Sequence, residues 1–398
     1  MRMTWSQGKM ATQNQINNIN MSRILRFLWM NRGSSRALMC RELGLNKSTV
    51  TKNVQILLDK GIAEEIEEGE SSPLGGRPPV ALGIRQDFCY VLGIEFQTEY
   101  YHGVISNAWG QVVFTQSGKL ADSDSSLLEY FLCVLDELKP ALAEYKVAGI
   151  ALGLPGVVDT KEGTVCYSMA FGIDSPLPFV EAASRAAGIP VLIENDANCC
   201  CWGDLADQKA SREENSLFLL TEFRDVDVRS PGLQSLAVGV GLVLRGQVHT
   251  GRDYSAGEYT SVFKNRDGSG QFSIEPSELS NLWSNPVQLR LIVQEISRTI
   301  SFLVNILNLT RVVVGGVLCD TDSLVKEALR TCINESWPYS NQVECQIEFS
   351  DLGESTVAHG ATAFFLEQLF GLPDLEERTE RGWQFILSHP FLIRKGSD

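Results

Sequence analysis

The sequence predicts an α/β protein in two modules: a winged helix-turn-helix over residues 1–80, then a duplicated α/β body with a central cleft over residues 81–398. Three observations predict it. Residues 1–63 carry ten Lys and Arg against two acidic side chains, a local charge of +8 on a chain whose net charge is −15. The apolar positions of that basic end fall at helical spacing, punctuated by Gly and Asn. Beyond Pro79 the pattern changes to β-rich apolar runs alternating with amphipathic stretches, and it does so twice. Residues 64–398 hold a charge of −23, which repels nucleic acid, so DNA contact is confined to the basic end.

The length suits a small domain plus a large one. No apolar run approaches the roughly 20 residues needed to cross a bilayer, and the opening residues lead into an Asn/Gln-rich stretch instead of a signal-peptide core, so the chain is read as cytoplasmic. The ten cysteines are scattered except for Cys199-Cys200-Cys201, and no C-x-x-C pair occurs. Reduced, mostly buried thiols are expected. On a helix three successive residues point about 100° apart and cannot converge on one metal.

In the basic end, Met21, Ile24, Leu25, Phe27 and Leu28 predict a first helix over Asn20–Met30. Ser35 caps a second through Leu43, and Gly44-Leu45 supplies the turn. Asn46 caps a third helix, whose stripe Val50, Val54, Leu57, Leu58 faces inward and which Gly61 stops. Its outward residues are short, polar or cationic: Lys47, Ser48, Thr49, Thr51, Lys52 and Asn53. With Arg36 on the preceding helix, Lys47, Ser48, Thr49 and Lys52 are the candidate DNA contacts, since the first turn of such a helix enters the major groove. A plain three-helix bundle with a solvated face is the alternative. Ile62–Ile66 then reads as a strand and Gly69–Gly76 as the loop of a wing. Gly75-Gly76-Arg77-Pro78-Pro79 closes it, with Arg77 either an arm for a narrow minor groove or part of a stiff linker.

In the body, Phe88–Phe96, Tyr101–Ser106 and Gly110–Thr115 predict strands, Ser125–Tyr145 a helix and Val147–Leu152 another strand. The second round runs Ser216–Glu222, Leu236–Leu244, the helix Val287–Leu307 and the strand Val312–Gly316. Strands, crossover helix, strand: a duplicated layout whose cleft suits a small ligand.

Five blocks now carry a resemblance: Asn20–Leu25 with the helix-turn-helix and Gly75–Pro79; Gly153-Leu154-Pro155-Gly156-Val157-Val158-Asp159; Glu194-Asn195-Asp196-Ala197-Asn198; Ala256-Gly257-Glu258; and Asn308–Gly316. In this order they resemble the ROK family of bacterial sugar kinases and sugar-responsive repressors, over essentially the whole chain and in its repressor branch. The resemblance implies an actin-like (ribonuclease H-like) sugar-kinase fold. It places Asp196 where a kinase needs a carboxylate to take the sugar hydroxyl's proton, and Asn195 and Glu258 among the sugar contacts. A carboxylate flanked by amides also serves plain hydroxyl recognition, and Asn195–Asn198 also reads as a helix cap.

The nucleotide half departs from the family's pattern. Where family kinases carry an Asp-x-Gly-Gly-Thr phosphate loop, this chain has Glu95-Phe96-Gln97-Thr98-Glu99, and a second Gly-Thr-Gly stretch is replaced by Ser235-Leu236-Ala237. Backbone N–H groups wrap phosphate through glycines, so the sequence predicts no productive ATP binding and no catalytic residue. The family's zinc pattern is missing too. Tyr259-Thr260-Ser261 stands where its His would be, and Phe263–Ser277 holds no Cys or His, so neither a metal nor a cofactor is expected. Glu275 and Glu278 are open candidates for the missing loop contact.

The expected function is therefore a DNA-binding transcriptional regulator, a repressor, controlled by a sugar or sugar-phosphate effector and acting as a homodimer or higher homo-oligomer, with no membrane partner. An ATP-dependent sugar kinase with an attached DNA-binding domain, and a regulator sensing a protein partner, are the alternatives.

Overall fold

The computed structural model describes residues 13–66, 80–119, 125–208, 215–225, 234–264, 270–373 and 381–389. The first helix, α1 (Gln13–Met30), starts seven residues earlier than predicted, because the exposed Asn/Gln-rich stretch holds no Gly or Pro to break it. Ser35 caps α2 (Arg36–Leu43) by accepting from the Leu38 amide, and Gly44 ends it in the left-handed region at φ 63°. Asn46 caps α3 (Lys47–Asp59), its Oδ1 accepting from the Thr49 amide at 2.8 Å. Val50, Val54 and Leu57 are buried beneath. β1 (Ala63–Ile66) follows and pairs antiparallel with β2 (Ala81–Ile84), in the register Ala63 to Ile84.

The body holds two five-stranded sheets of the same design. In the first, β3 (Tyr90–Phe96) is central. It lies beside β4 (Tyr100–Asn107), which pairs antiparallel with β5 (Val112–Lys119). The helix α4 (Leu127–Tyr145), opened by a Ser126–Glu129 capping box, leads to β6 (Gly149–Leu154), parallel to β3. A small sheet of β7 (Val157–Asp159), β8 (Thr164–Tyr167) and β9 (Leu177–Pro178), then α5 (Val180–Ala187), precede β10 (Val191–Asn195), parallel to β6. α6 (Asp196–Asp207) follows directly.

The second sheet repeats the plan. β11 (Ser216–Asp225) is central, with the antiparallel β12 (Gln234–Leu244) and β13 (Gln247–Val248) on one side. After α7 (Pro276–Leu279) and α8 (Pro286–Leu307), β14 (Arg311–Gly316) joins β11 in parallel. α9 (Asp322–Glu335) then leads to β15 (Gln346–Phe349), parallel to β14. Each sheet has its own core, one built on Leu92, Ile94, Phe131, Ile150 and Ile193, the other on Leu217, Leu219, Ile296, Val312 and Val314. Two lobes with separate cores leave a polar seam between them.

α10 (Thr356–Phe370) and α11 (Trp383–Ser388) end the described chain. One compact unit comprises 1–89 together with 107–111 and 366–398. The reason is apolar. Trp29 of α1 stacks on Phe370 at 5.1 Å and donates to the Ala108 carbonyl at 2.9 Å, while Arg32 lies 3.6 Å over the Trp109 ring. Arg26 pairs with Glu367 at 2.5 Å, and Ser22 accepts from the Trp383 amide at 3.0 Å. These partners lie far along the chain, and no local pattern announces them. The remainder, 90–106 and 112–365, is the other unit and contains both lobes.

Candidate functional site

The site grows from the junction of β10 and α6. Asn195 is the N-cap: its Oδ1 accepts from the Asn198 amide at 3.1 Å and its Nδ2 donates to the Gly156 carbonyl at 2.9 Å. Glu194 braces the turn, accepting from the Asn195 amide at 2.8 Å, Asn198 Nδ2 at 3.2 Å and Trp202 Nε1 at 3.3 Å. Asp196 is thereby fixed in the first turn of α6, only 3% exposed, with Oδ1 accepting from the Ala197 amide at 2.7 Å. The capping reading of this segment is thereby met.

Two residues that sequence reasoning missed complete the cluster. Arg224, on β11, bonds Asp196 Oδ2 through Nη2 and reaches Glu222 at 2.5 Å through Nη2 and 2.9 Å through Nε. Glu222 in turn accepts from Gln97 Nε2 at 2.9 Å, and the same amide donates to Glu95 at 3.1 Å. The network therefore crosses from the end of β3 in one lobe to β11 in the other. A period-two reading of Thr221-Glu222-Phe223-Arg224 would have found both, since charges at i and i+2 on a strand share a face.

Burial raises the Asp196 carboxyl, with Arg224 opposing and Glu222 reinforcing the shift. Glu95 is held well above the usual carboxylate range by burial and then by Glu222. Arg224 loses hydration, yet Glu222 and Asp196 more than offset this and keep it firmly charged. Glu258 stands on the solvent-accessible rim, in the Ala256-Gly257-Glu258 turn that bridges to Gly239 on β12. Desolvation, then Asp196, raises its carboxyl. Gly257 is required there: at φ 93°, a Cβ would sit 1.7 Å from the Val240 carbonyl oxygen.

The residues do not fit a nucleotide phosphate. The turn that would wrap it carries the Gln97 side chain, whose amide is spent on Glu95 and Glu222, while the Gln97 backbone amide donates to the Tyr100 carbonyl at 3.0 Å. Nor does the segment after Glu258 fit zinc. Tyr259 packs on Phe272 at 5.8 Å, Gln271 holds the Val238 amide and carbonyl at 2.8 and 2.7 Å, and Ser273 donates to Glu295. Among the described residues no three His, Cys, Asp or Glu gather as a metal set. Glu278 accepts from the Glu275 amide at 3.3 Å, so this pair opens α7. Cys199, Cys200 and Cys201 are free and buried in α6.

At the N-terminal end, Lys47, Ser48, Thr51, Lys52, Gln55 and Ile56 line one shallow groove on α3. Lys47, Ser48 and Lys52 are exposed and Thr49 is half-buried. Arg36 is turned toward Glu65 of β1, at 3.4 Å, away from full availability. Arg77 lies outside the described residues. No described helix is long and apolar enough to cross a membrane.

The ROK family model matches residues 93–260, the span that holds the whole polar cluster. A xylose repressor of Caldicellulosiruptor bescii is 22% identical over 92% of this chain and its own full length. The crystal structure of a ROK family transcriptional regulator, a homologue of the E. coli MLC protein, covers 92% of this chain and 99% of its own at TM-score 0.72 and 17% identity. That of a ROK family glucokinase from Streptomyces griseus, in complex with glucose and AMPPNP, covers 69% of this chain and 98% of its own at TM-score 0.55 and 16% identity. The actin-like sugar-kinase fold is thus the fold of the body, the helices before it extend the structural likeness to a regulator, and residues 93–260 match the ROK family.

Proposed function

We propose that this protein is a DNA-binding transcriptional repressor whose kinase-like body senses a sugar instead of phosphorylating it. One observation carries the reading: the carboxylate a sugar kinase must keep free for a hydroxyl proton, Asp196, is paired with Arg224. The phosphate cradle is filled besides by Gln97 and two carboxyls. What remains is a recognition surface. Asn195, Asp196 and Glu258 offer directional partners to ring hydroxyls, and a wrong epimer would leave buried groups unpaired. The repressor named in C. bescii responds by its name to xylose, which supports an aldose as the ligand class here.

In this reading the N-terminal module acts on DNA, in the cytoplasm, and the body acts on the ligand. Lys47, Ser48, Thr49 and Lys52 present the first turns of α3 to the major groove, Arg36 contacts the backbone, and Arg77 extends the grip from beyond β1. A dimer supplies two recognition helices for half-sites about 34 Å apart. A row of exposed apolar residues on α8, Val287, Leu291, Phe302 and Ile306, supports self-association. The ligand changes DNA affinity by binding one arrangement of the protein better than another.

Thermal shift of the full chain against a panel of aldoses, run beside an assay for sugar-dependent ATP turnover, tests the reading. Stabilisation by a sugar without turnover is the expected result. Turnover that disappears in Asp196→Asn would replace the sensor with a kinase.

A further inference from the structure

We propose that Glu222 and Arg224 are specificity-determining residues that commit this cleft to unphosphorylated sugars, an inference that rests on the sugar-sensing reading above. Arg224 bridges Asp196 and Glu222, so a ligand hydroxyl brought to Asp196 lies beside both. A neutral hydroxyl fits: it donates to the carboxylate and accepts from the guanidinium, whose side chain is still 24% exposed. A phosphate ester at that hydroxyl brings about −1.5 to −2 charge and acceptor oxygens that are mostly unprotonated at neutral pH.

It would meet one donor group amid surplus negative charge. Arg224 bonds two carboxylates through Nε and Nη2, so beyond Nη1 the phosphate faces two anions to one cation. Gln97 Nε2 is committed to Glu95 and Glu222, and the Gln97 backbone amide is bonded within its own turn. Glu95, 2% exposed and with its carboxyl raised by burial and then by Glu222, is no cation for the phosphate either. Glu258 adds a further carboxyl at the rim, close enough to Asp196 for the two to feel each other. Rejection is thus built from repulsion as well as from missing partners.

Calorimetric titration of the full chain reads this directly, using D-xylose, D-glucose, D-mannose and N-acetyl-D-glucosamine, each beside its terminal phosphate ester. A neutral sugar should bind at least about a hundredfold more tightly than its ester, the scale on which a site rejects a ligand that leaves polar groups unpaired. Glu222→Gln releases one of the two anions from Arg224 and should narrow that ratio at least about tenfold. Glu222→Ser serves the same purpose should the glutamine variant unfold. An ester that binds as tightly as its parent sugar overturns the proposal and leaves sugar sensing intact. An unchanged ratio in a folded Glu222 variant also overturns it, since exclusion would then arise elsewhere. Silence from both members of every pair removes the sugar-sensing reading and the proposal with it.

Discussion

Asp196 and Arg224 show how the partner of a buried carboxylate sets the chemistry open to it. Asp196 keeps its place at the first turn of α6, where the capped helix and its positive end favour a carboxylate. The guanidinium of Arg224 lies beside it and pairs with it. The cluster also leaves a titration signature. Glu95 has its proton affinity raised in the folded state, so its contribution to stability is full below the unfolded value, near 4.5, and is lost as pH rises toward the folded value well above it. Glu95→Gln mimics the protonated form and can still accept from Gln97. Its stability relative to the parent should therefore grow as pH climbs from about 4.5, by the proton-linkage relation. Urea denaturation at several pH values checks this, and a constant difference would mean that Glu95 ionises normally.

Among the elements, α3 was the most legible. Asn46, the stripe Val50, Val54, Leu57 and the stop at Gly61 are local signals, and each reappears in the structure because capping and amphipathic burial are decided within a few residues. Exchanging Lys47 and Lys52 for alanine should weaken DNA binding and lower the salt slope by about 2 if both meet phosphates. Fluorescence anisotropy with a basic-helix double variant between about 50 and 200 mM salt reads it. An unchanged slope would remove α3 from the DNA contact. The packing of α6 on α10 was not legible. Gly203 and Gly360 meet there, and a Cβ on Gly360 would lie 1.9 Å from the Cys199 carbonyl oxygen. Gly360→Ala should therefore cost about 1–3 kcal/mol in chemical denaturation, the usual penalty for overpacking. Spared stability would show that the two helices can slide apart.

For the whole molecule, the two lobes repeat one plan: a central strand, an antiparallel hairpin on one side and parallel strands on the other. Duplication of this kind sets a seam between two cores, and here hydrogen bonds from Gln97 and Arg224 cross it. Self-association is a property at the same scale. Leu291→Glu with Phe302→Glu puts charge into the exposed row on α8, and sedimentation should report a monomer with weakened binding to a two-half-site DNA. A variant that sediments like the parent would place the contact on another face.

The sequence by itself determined the order and kind of the elements, the basic third helix, the lack of glycine at Gln97 and Thr98 and the local setting of Asn195, Asp196 and Glu258. These depend on periodicity, caps and short motifs, all readable along the chain. Only the tertiary structure decided who Asp196's partner is, because Arg224 lies 28 residues away on β11 while Asp196 opens α6, and Gln97 and Glu222 come from different lobes. It alone decided that the N-terminal unit takes in Trp109 and the segment around Phe370 and Trp383. Burial of large rings against distant chain, like the pairing of buried charges, is settled by three-dimensional neighbours, and sequence distance carries no record of them.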